Sequence, residues 1–249
     1  MATLPHVEED NYIKGVFSIE KTGKIGTGTT ARRVKQQVYF FAEQVDEDTV
    51  VLQGLNPENV PSGAKAEITK DELLEDYLPE PSLYNEVMSK LREVQKAVAR
   101  GEKRRKRGET FTAEFEFSKA LQLDEQNVRA NFGIGMCYMQ RGEEDKAKEV
   151  FDRIIKLDAA FQDEHKHLFN EYGIELRKKK MFDEAVDYYQ RALELTRDDE
   201  NLFYNLSRAE FESGNYRQAL EAANECLALA PNHPEGLKIK AYIEKKGLA

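Results

Sequence analysis

Short apolar runs separated by turn residues dominate the first 68 residues of the chain, which is the pattern of β-strands. The best strand candidates are rich in Val, Tyr and Phe and lie at residues 15–20, 37–42 and 49–52, with a short fourth at residues 66–68. Three or four short strands cannot bury a core by themselves. We therefore expect the helical remainder of the chain to cover one face of this sheet.

Beyond residue 81 the apolar positions follow helical spacing, and the pattern repeats every 34 residues. Gly108 and Gly142 lie 34 residues apart, and so do Ala185 and Ala219. In each repeat a small residue in a first helix and an alanine in a second let the two helices approach closely, and an aromatic residue one turn later fills the remaining space. These residues are Gly135 and Gly173, then Ala113, Ala147, Ala185 and Ala219, then Phe117, Phe151 and Tyr189.

This order of small and large residues resembles the tetratricopeptide repeat (TPR) family, whose helical hairpins stack because each leaves an apolar face for its neighbour to cover. The resemblance implies a mainly α fold, a helical-hairpin solenoid preceded by a small β-rich domain. It is weakest in the first repeat, where Arg100 and Arg104 occupy usually apolar positions. We expect the β-rich domain at residues 1–81 and the array at 82–249, with repeats at about 94–127, 128–161, 166–199 and 200–233 and a capping helix at 234–248.

The resemblance also implies a concave groove lined by the first helices, in which the second, fifth, ninth and twelfth positions face a partner. The side chains at these positions are apolar and cationic, which suits a peptide with hydrophobic anchors and one or two carboxylates. The alternative is that Phe132, Met136 and Phe211 pack against the protein's own amino-terminal domain or cap. The groove positions are Arg129, Phe132, Met136 and Met139, then His167, Asn170, Ile174 and Arg177, then Asn201, Tyr204, Arg208 and Phe211.

Charge is distributed unevenly along a chain whose formal net charge is -9. Residues 82–107 carry nine basic and three acidic side chains, and residues 103–107 are all basic. This cluster could meet an acidic surface, anionic lipid headgroups or RNA, or it could be a solvated helix end that Gly108 terminates. No aromatic residues interleave with it, so a nucleic-acid partner is not expected.

A Gly-Thr run followed by basic residues, at positions 23–35, could cradle a phosphate through backbone N–H groups. It lacks the G-x-x-x-x-G-K-[ST] order of a phosphate-binding loop, and a loop between two strands explains it better. A phosphate-, nucleotide- or nucleic-acid-responsive regulator, acting through this loop or through residues 103–107, is the alternative function.

Catalytic and metal sites are not predicted. His165 and His167 are too few and too poorly spaced for a metal site, while Cys137 and Cys226 have no neighbouring histidine and are interpreted as small buried fillers. No acid, base and nucleophile come together in the sequence. We therefore expect a non-catalytic adaptor that binds a protein or peptide and needs no cofactor or metal.

The expected compartment is the cytoplasm. No run approaches the roughly 20 apolar residues of a bilayer span, and the first ten residues lack the basic and apolar regions of a signal peptide. Two cysteines are too few for a disulfide framework, which favours a reducing environment.

Overall fold

The computed structural model describes residues 12–25, 32–162, 165–196 and 198–249. These residues form two compact units. The first holds the described residues up to Lys96 together with Gln122–Glu125, and the second holds Ala97–Leu121 and Gln126–Ala249. The division between Lys96 and Ala97 falls inside the helix Pro81–Lys106. The domain boundary after residue 81 stays a prediction from the sequence.

The first unit is built on an antiparallel sheet of five strands in the order β4-β3-β2-β1-β5. All four strand candidates from the sequence lie within the first four strands, while the two-residue β5 had no strand signal of its own. The strands are β1 (Lys14–Ile25), β2 (Arg32–Gln44), β3 (Thr49–Leu55), β4 (Pro61–Thr69) and β5 (Leu78–Pro79). Helix α1 (Lys70–Asp76) follows β4, and helix α2 (Pro81–Lys106) follows β5.

Both faces of this sheet are covered, although the sequence predicted a cover for one face only. On one face Leu73 of α1 is fully buried in a cluster with Phe17 and Val50. On the other face Val87 of α2 is buried against Val16, in a cluster that also contains Phe41. Successive side chains of a strand point to opposite faces, so the adjacent apolar residues Val16 and Phe17 serve both clusters. Continuous apolar runs of this kind are typical of strands that are buried on both sides.

The second unit is a series of helical hairpins, which confirms the fold class expected from the sequence. Three hairpins pair α4 with α5, α6 with α7, and α8 with α9, and α3 follows the end of α2. The helices are α3 (Thr110–Leu123), α4 (Val128–Arg141), α5 (Glu144–Ile154), α6 (Lys166–Lys178), α7 (Phe182–Leu195), α8 (Glu200–Ser213), α9 (Tyr216–Leu229) and α10 (Pro234–Lys246), with a 3₁₀ turn at Asp158–Phe161 between α5 and α6.

A residue in the left-handed conformation follows α2 and the first helix of each of the three hairpins. Gly108, Gly142 and Gly214 have φ values of 77°, 73° and 90°, as is typical of a glycine just past a helix end. The hairpin of α6 and α7 lacks this glycine, and Lys180 takes the same conformation with φ 61°. A side chain with a Cβ atom is strained there by about 1–2 kcal/mol.

Aromatic rings lie directly against helical glycines in this unit. A Cβ atom at Gly133 of α4 would lie 2.3 Å from the ring of Phe117, and one at Gly101 of α2 would lie 2.7 Å from the same ring. The hydroxyl oxygen of Tyr189 would likewise lie 2.4 Å from a Cβ atom at Gly173. The predicted role of small residues is therefore confirmed, and it extends to Gly101 and Gly133, which the sequence did not single out.

Gly133→Ala tests this close approach. Overpacking costs about 1–3 kcal/mol, more than the roughly 0.5–1 kcal/mol that alanine gains over glycine inside a helix. We expect a lower free energy of unfolding in urea. Because Phe117→Leu makes room for the new methyl group, the double variant should lose less free energy of unfolding than the sum of the losses in the two single variants. Additive losses would contradict a contact between the two positions.

Lys180→Gly tests the strained helix end. Glycine removes the steric strain of the left-handed conformation but adds entropy to the unfolded chain, so we expect a net gain of about 0.5–1 kcal/mol in the free energy of unfolding. Lys179, with φ -81°, is the matched control, and Lys179→Gly should destabilise the chain by a similar amount. Equal effects of the two glycine substitutions would show that Lys180 is not strained.

Candidate partner-binding surface

The predicted groove residues of α4 differ sharply in exposure from those of α6 and α8. Phe132, Met136 and Met139 expose only 2%, 6% and 2% of their surfaces, whereas Arg129 is exposed. On α6 and α8 the predicted residues are partly or fully exposed, and the side chain of His167 lies outside the described part. The partly exposed residues are Asn170, Ile174, Arg177, Tyr204, Arg208 and Phe211, and Asn201 is exposed.

Phe132 is part of an aromatic cluster between neighbouring hairpins. Its ring meets Tyr172 of α6 edge-on at a centroid distance of 5.3 Å and Tyr188 of α7 at 6.4 Å. Burial raises the pKa of Tyr172 and of Tyr188 well above the usual value. Self-packing of Phe132 therefore takes place within the array, against the next hairpin. Tyr172 stands next to Gly173 in the repeat pattern, whereas Tyr188 had no signal in the sequence.

A cavity of about 180 Å³ lies among α2, α4 and α6. Its apolar lining comes from Phe117, Phe132, Gly133, Met136 and Leu168. The structure thus brings two of the predicted apolar residues, Phe132 and Met136, to one small opening. Gly133 contributes because a side chain there would fill the space beside the Phe117 ring.

Charged side chains complete the lining of this cavity, and most of them are paired. Arg129 of α4 donates from Nε and Nη2 to the two carboxylate oxygens of Glu102, at 3.0 and 2.9 Å. Arg105 donates from Nη1 to Glu171 at 3.1 Å. Lys106 also lines the cavity, and among the described residues it has no ion-pair partner.

The arginines of α6 and α8 share one carboxylate. Arg177 Nη1 lies 2.5 Å from Oε1 of Glu212, and Arg208 Nε lies 3.0 Å from the same atom. Burial acts to raise the pKa of Glu212, but the hydrogen bonds from both guanidinium groups outweigh it and hold that pKa below its usual value. All three predicted groove arginines are therefore paired with glutamates, but Arg177 and Arg208 share the single charge of Glu212, so the cationic character expected from the sequence is reduced and not abolished.

The basic cluster at residues 103–107 ends a helix, as one of its two interpretations predicted. The N–H groups of Gly108 and Glu109 donate to the carbonyl oxygens of Arg105 and Arg104 at 2.9 and 3.0 Å, which closes the last turn of α2. Arg104 also pairs with Glu109 at 2.5 Å. Two of the five cations, Arg104 and Arg105, are thus held by carboxylates.

The structure describes the remaining candidates from the sequence in part. Gly23 pairs with Val34 across β1 and β2, so the ends of the Gly-Thr segment 23–35 continue a hairpin; residues 26–31 lie outside the described part. Cys137 and Cys226 are buried free thiols, and burial raises the pKa of Cys137 to about 11, which confirms them as fillers. In the described ranges, no three His, Cys, Asp or Glu residues form a group that could hold a metal ion.

The comparison with protein families decides what this array is. A tetratricopeptide repeat model matches residues 106–168 and 176–243, more than half of the chain. The chain belongs to the tetratricopeptide repeat family. Members of this family bind protein partners, so this TPR chain is a protein-interaction repeat scaffold. Within the described residues, no helix has the length and apolar character needed to cross a membrane.

Two curated relatives illustrate how far the similarity reaches. TPR repeat-containing protein MJ1428 of Methanocaldococcus jannaschii is 26% identical over 138 residues, which are 53% of this chain and 24% of that protein. The type IV pilus assembly protein PilF of Pseudomonas aeruginosa is 27% identical over 133 residues, which are 51% of this chain and 50% of that protein. The TPR chain therefore matches no more than half the length of either relative.

Among solved structures, a crystal structure of MamA protein is similar to part of the chain. It has a TM-score of 0.48 at 24% sequence identity, and the match covers 63% of this chain and 84% of the MamA chain.

Glu212→Gln tests the shared carboxylate through its pH dependence. A group whose pKa is lowered by folding stabilises the protein above its unfolded-state pKa, here about 4.5, and this stabilisation is lost as the pH falls through the folded-state pKa. We expect wild type to be more stable than Glu212→Gln at neutral pH, with the gap closing below about pH 4.5 in urea titrations.

Glu221→Gln is the control for this titration, because Glu221 pairs with Arg217 on the exposed face of α9 at 3.3 Å. Exposed pairs contribute about 0–1 kcal/mol, so the free energy of unfolding of Glu221→Gln should differ little from that of the wild type at every pH. If the difference in free energy of unfolding between wild type and Glu212→Gln did not change with pH, the carboxylate charge of Glu212 would not be what stabilises the fold.

Proposed function

We propose that this TPR chain is a non-catalytic cytoplasmic adaptor that binds an extended segment of a partner protein along its first helices. The segment would lie across α4, α6 and α8, against the predicted groove residues. The two cysteines, both free thiols, are consistent with a reducing compartment.

The observation that carries this proposal is the cavity among α2, α4 and α6. Binding sites for partner side chains are concave and apolar, with a few polar groups that orient the ligand. The cavity is concave, half of its lining residues are apolar and half are charged, and three of them, Arg129, Phe132 and Met136, were assigned to a partner by the family pattern alone. It therefore coincides with the surface that the family pattern reserves for ligands.

The exposed faces of α6 and α8 extend this surface. Tyr204 and Phe211 present aromatic area that is only partly covered, and the side chain of Asn170 has a buried Oδ1 without a hydrogen-bond partner among the described residues. A buried acceptor of this kind costs free energy until it is satisfied. Because this oxygen is buried, the N–H of a partner segment would reach it only after the Asn170 side chain turned outward.

The test is selection of twelve-residue peptides from a displayed random library against the whole chain, followed by measurement of Kd by fluorescence anisotropy. Tyr204→Ala should weaken the selected peptides by about fivefold or more, as expected for an aromatic contact at an interface. Thermal unfolding of the variant shows whether the fold is kept.

Phe111→Ala is the matched control, because Phe111 lies on α3, a second helix, and is 73% exposed. It should leave the Kd unchanged. If Phe111→Ala weakened the peptides and Tyr204→Ala did not, the binding face would be on the second helices and the proposal would be wrong. Failure to select any peptide would also contradict it.

A further inference from the structure

We propose that the cavity among α2, α4 and α6 is an anchor pocket for one large apolar side chain that neighbours a carboxylate in the partner segment. This inference rests on the adaptor function proposed above and specifies the chemistry of its ligand. It requires that the pocket has room for such a side chain, that its floor is apolar and that its rim prefers a negative charge.

The size of the pocket fits a single ring or branched aliphatic group. A cavity of about 150 Å³ with an apolar lining holds a benzene molecule, and this one, with a lining that is half apolar and half charged, has a volume of about 180 Å³. Phe117, Phe132 and Met136 form its base, where they expose only 0%, 2% and 6% of their surfaces, and the flexible thioether of Met136 adapts to the shape of its neighbour. The volume is therefore sufficient for a phenylalanine- or leucine-sized side chain.

The charges at the rim favour an acidic neighbour. The carboxylates of Glu102 and Glu171 are already engaged by Arg129 and Arg105, and these two pairs cancel in charge. Lys106 is exposed, lines the same cavity and has no ion-pair partner among the residues that the structure describes. The rim therefore carries one uncompensated positive charge, which attracts a carboxylate and repels an ammonium group.

Three probes of equal size separate the pocket from its charge preference: 3-phenylpropionate, 3-phenylpropanamide and 3-phenylpropylammonium. Each is titrated into the full chain labelled with ¹³C in its methionine methyl groups. We expect the methyl signal of Met136 to shift and that of Met139, which does not line the cavity, to stay in place. The propionate should bind about two- to fivefold more tightly than the amide, as is typical of one exposed ion pair, and the ammonium should bind most weakly.

Lys106→Glu should reverse the order of the propionate and the ammonium. The control is Lys103→Glu, one turn earlier in α2, because Lys103 is exposed and does not line the cavity. That variant should keep the wild-type order. Equal affinities of the three probes for the wild type, or an order that Lys106→Glu leaves unchanged, would overturn the acidic preference.

The same measurements distinguish this inference from the adaptor function. If no probe moved the Met136 methyl signal while library peptides still bound with dependence on Tyr204, the anchor pocket would be wrong and the adaptor function would stand. If the probes bound in the expected order but no peptide did, the pocket would stand and the extended groove would be wrong.

Discussion

The close approach of helices at glycine positions is the constraint on which the helical array depends. The ring of Phe117 in α3 lies against Gly101 of α2 and Gly133 of α4, so one side chain joins three helices. A buried aromatic residue removes about 150–250 Å² from water, but only if no Cβ atom stands in its way. This contact brings α2 and α4 together, and residues of both helices line the cavity together with the same ring. The candidate site is thus a consequence of how the hairpins are packed.

Ion pairs between first helices set the electrostatic character of the surface beside that core. Arg129 reaches from α4 to Glu102 of α2, and Arg177 reaches from α6 to Glu212 of α8. An exposed pair contributes about 0–1 kcal/mol, so the pair of Arg129 with Glu102 adds little to stability, whereas the pair of Arg177 with Glu212 is more buried and adds more. Their larger effect is to offset the positive charge of the arginines, because a partner carboxylate that bound one of these arginines would have to replace the glutamate already paired with it. An unpaired cation such as Lys106 therefore distinguishes partners better than three paired arginines do.

The sequence predicted the parts of this structure that depend on local patterns. The alternation of small and large residues located the hairpins, and the apolar runs located the strands. Gly101 lies 34 residues, or one repeat, before Gly135. This spacing indicates a close helix approach at Gly101, but Arg100 and Arg104 nearby made the first repeat hard to recognise. The ion pairs and the burial of Phe132 could not be predicted, because they depend on the rotation of helices whose residues are far apart in the chain. Lys180 shows the same limit, since tertiary packing imposes a conformation that its residue type disfavours.

A pocket for one side chain cannot hold a partner by itself. The binding free energy of a small ligand is at most about 1.5 kcal/mol per non-hydrogen atom, so a single side chain in this pocket binds weakly. A second contact on the same partner segment strengthens the binding, because the anchor then binds intramolecularly. After Phe132, Tyr204 of α8 is the next aromatic residue along the chain that the family pattern assigns to a partner. Packed helices lie about 8–10 Å apart, so the path from α4 across α6 to α8 is roughly 16–20 Å. An extended chain advances about 3.3 Å per residue. A partner segment must therefore contribute about five or six residues beyond its anchor before it gains both contacts.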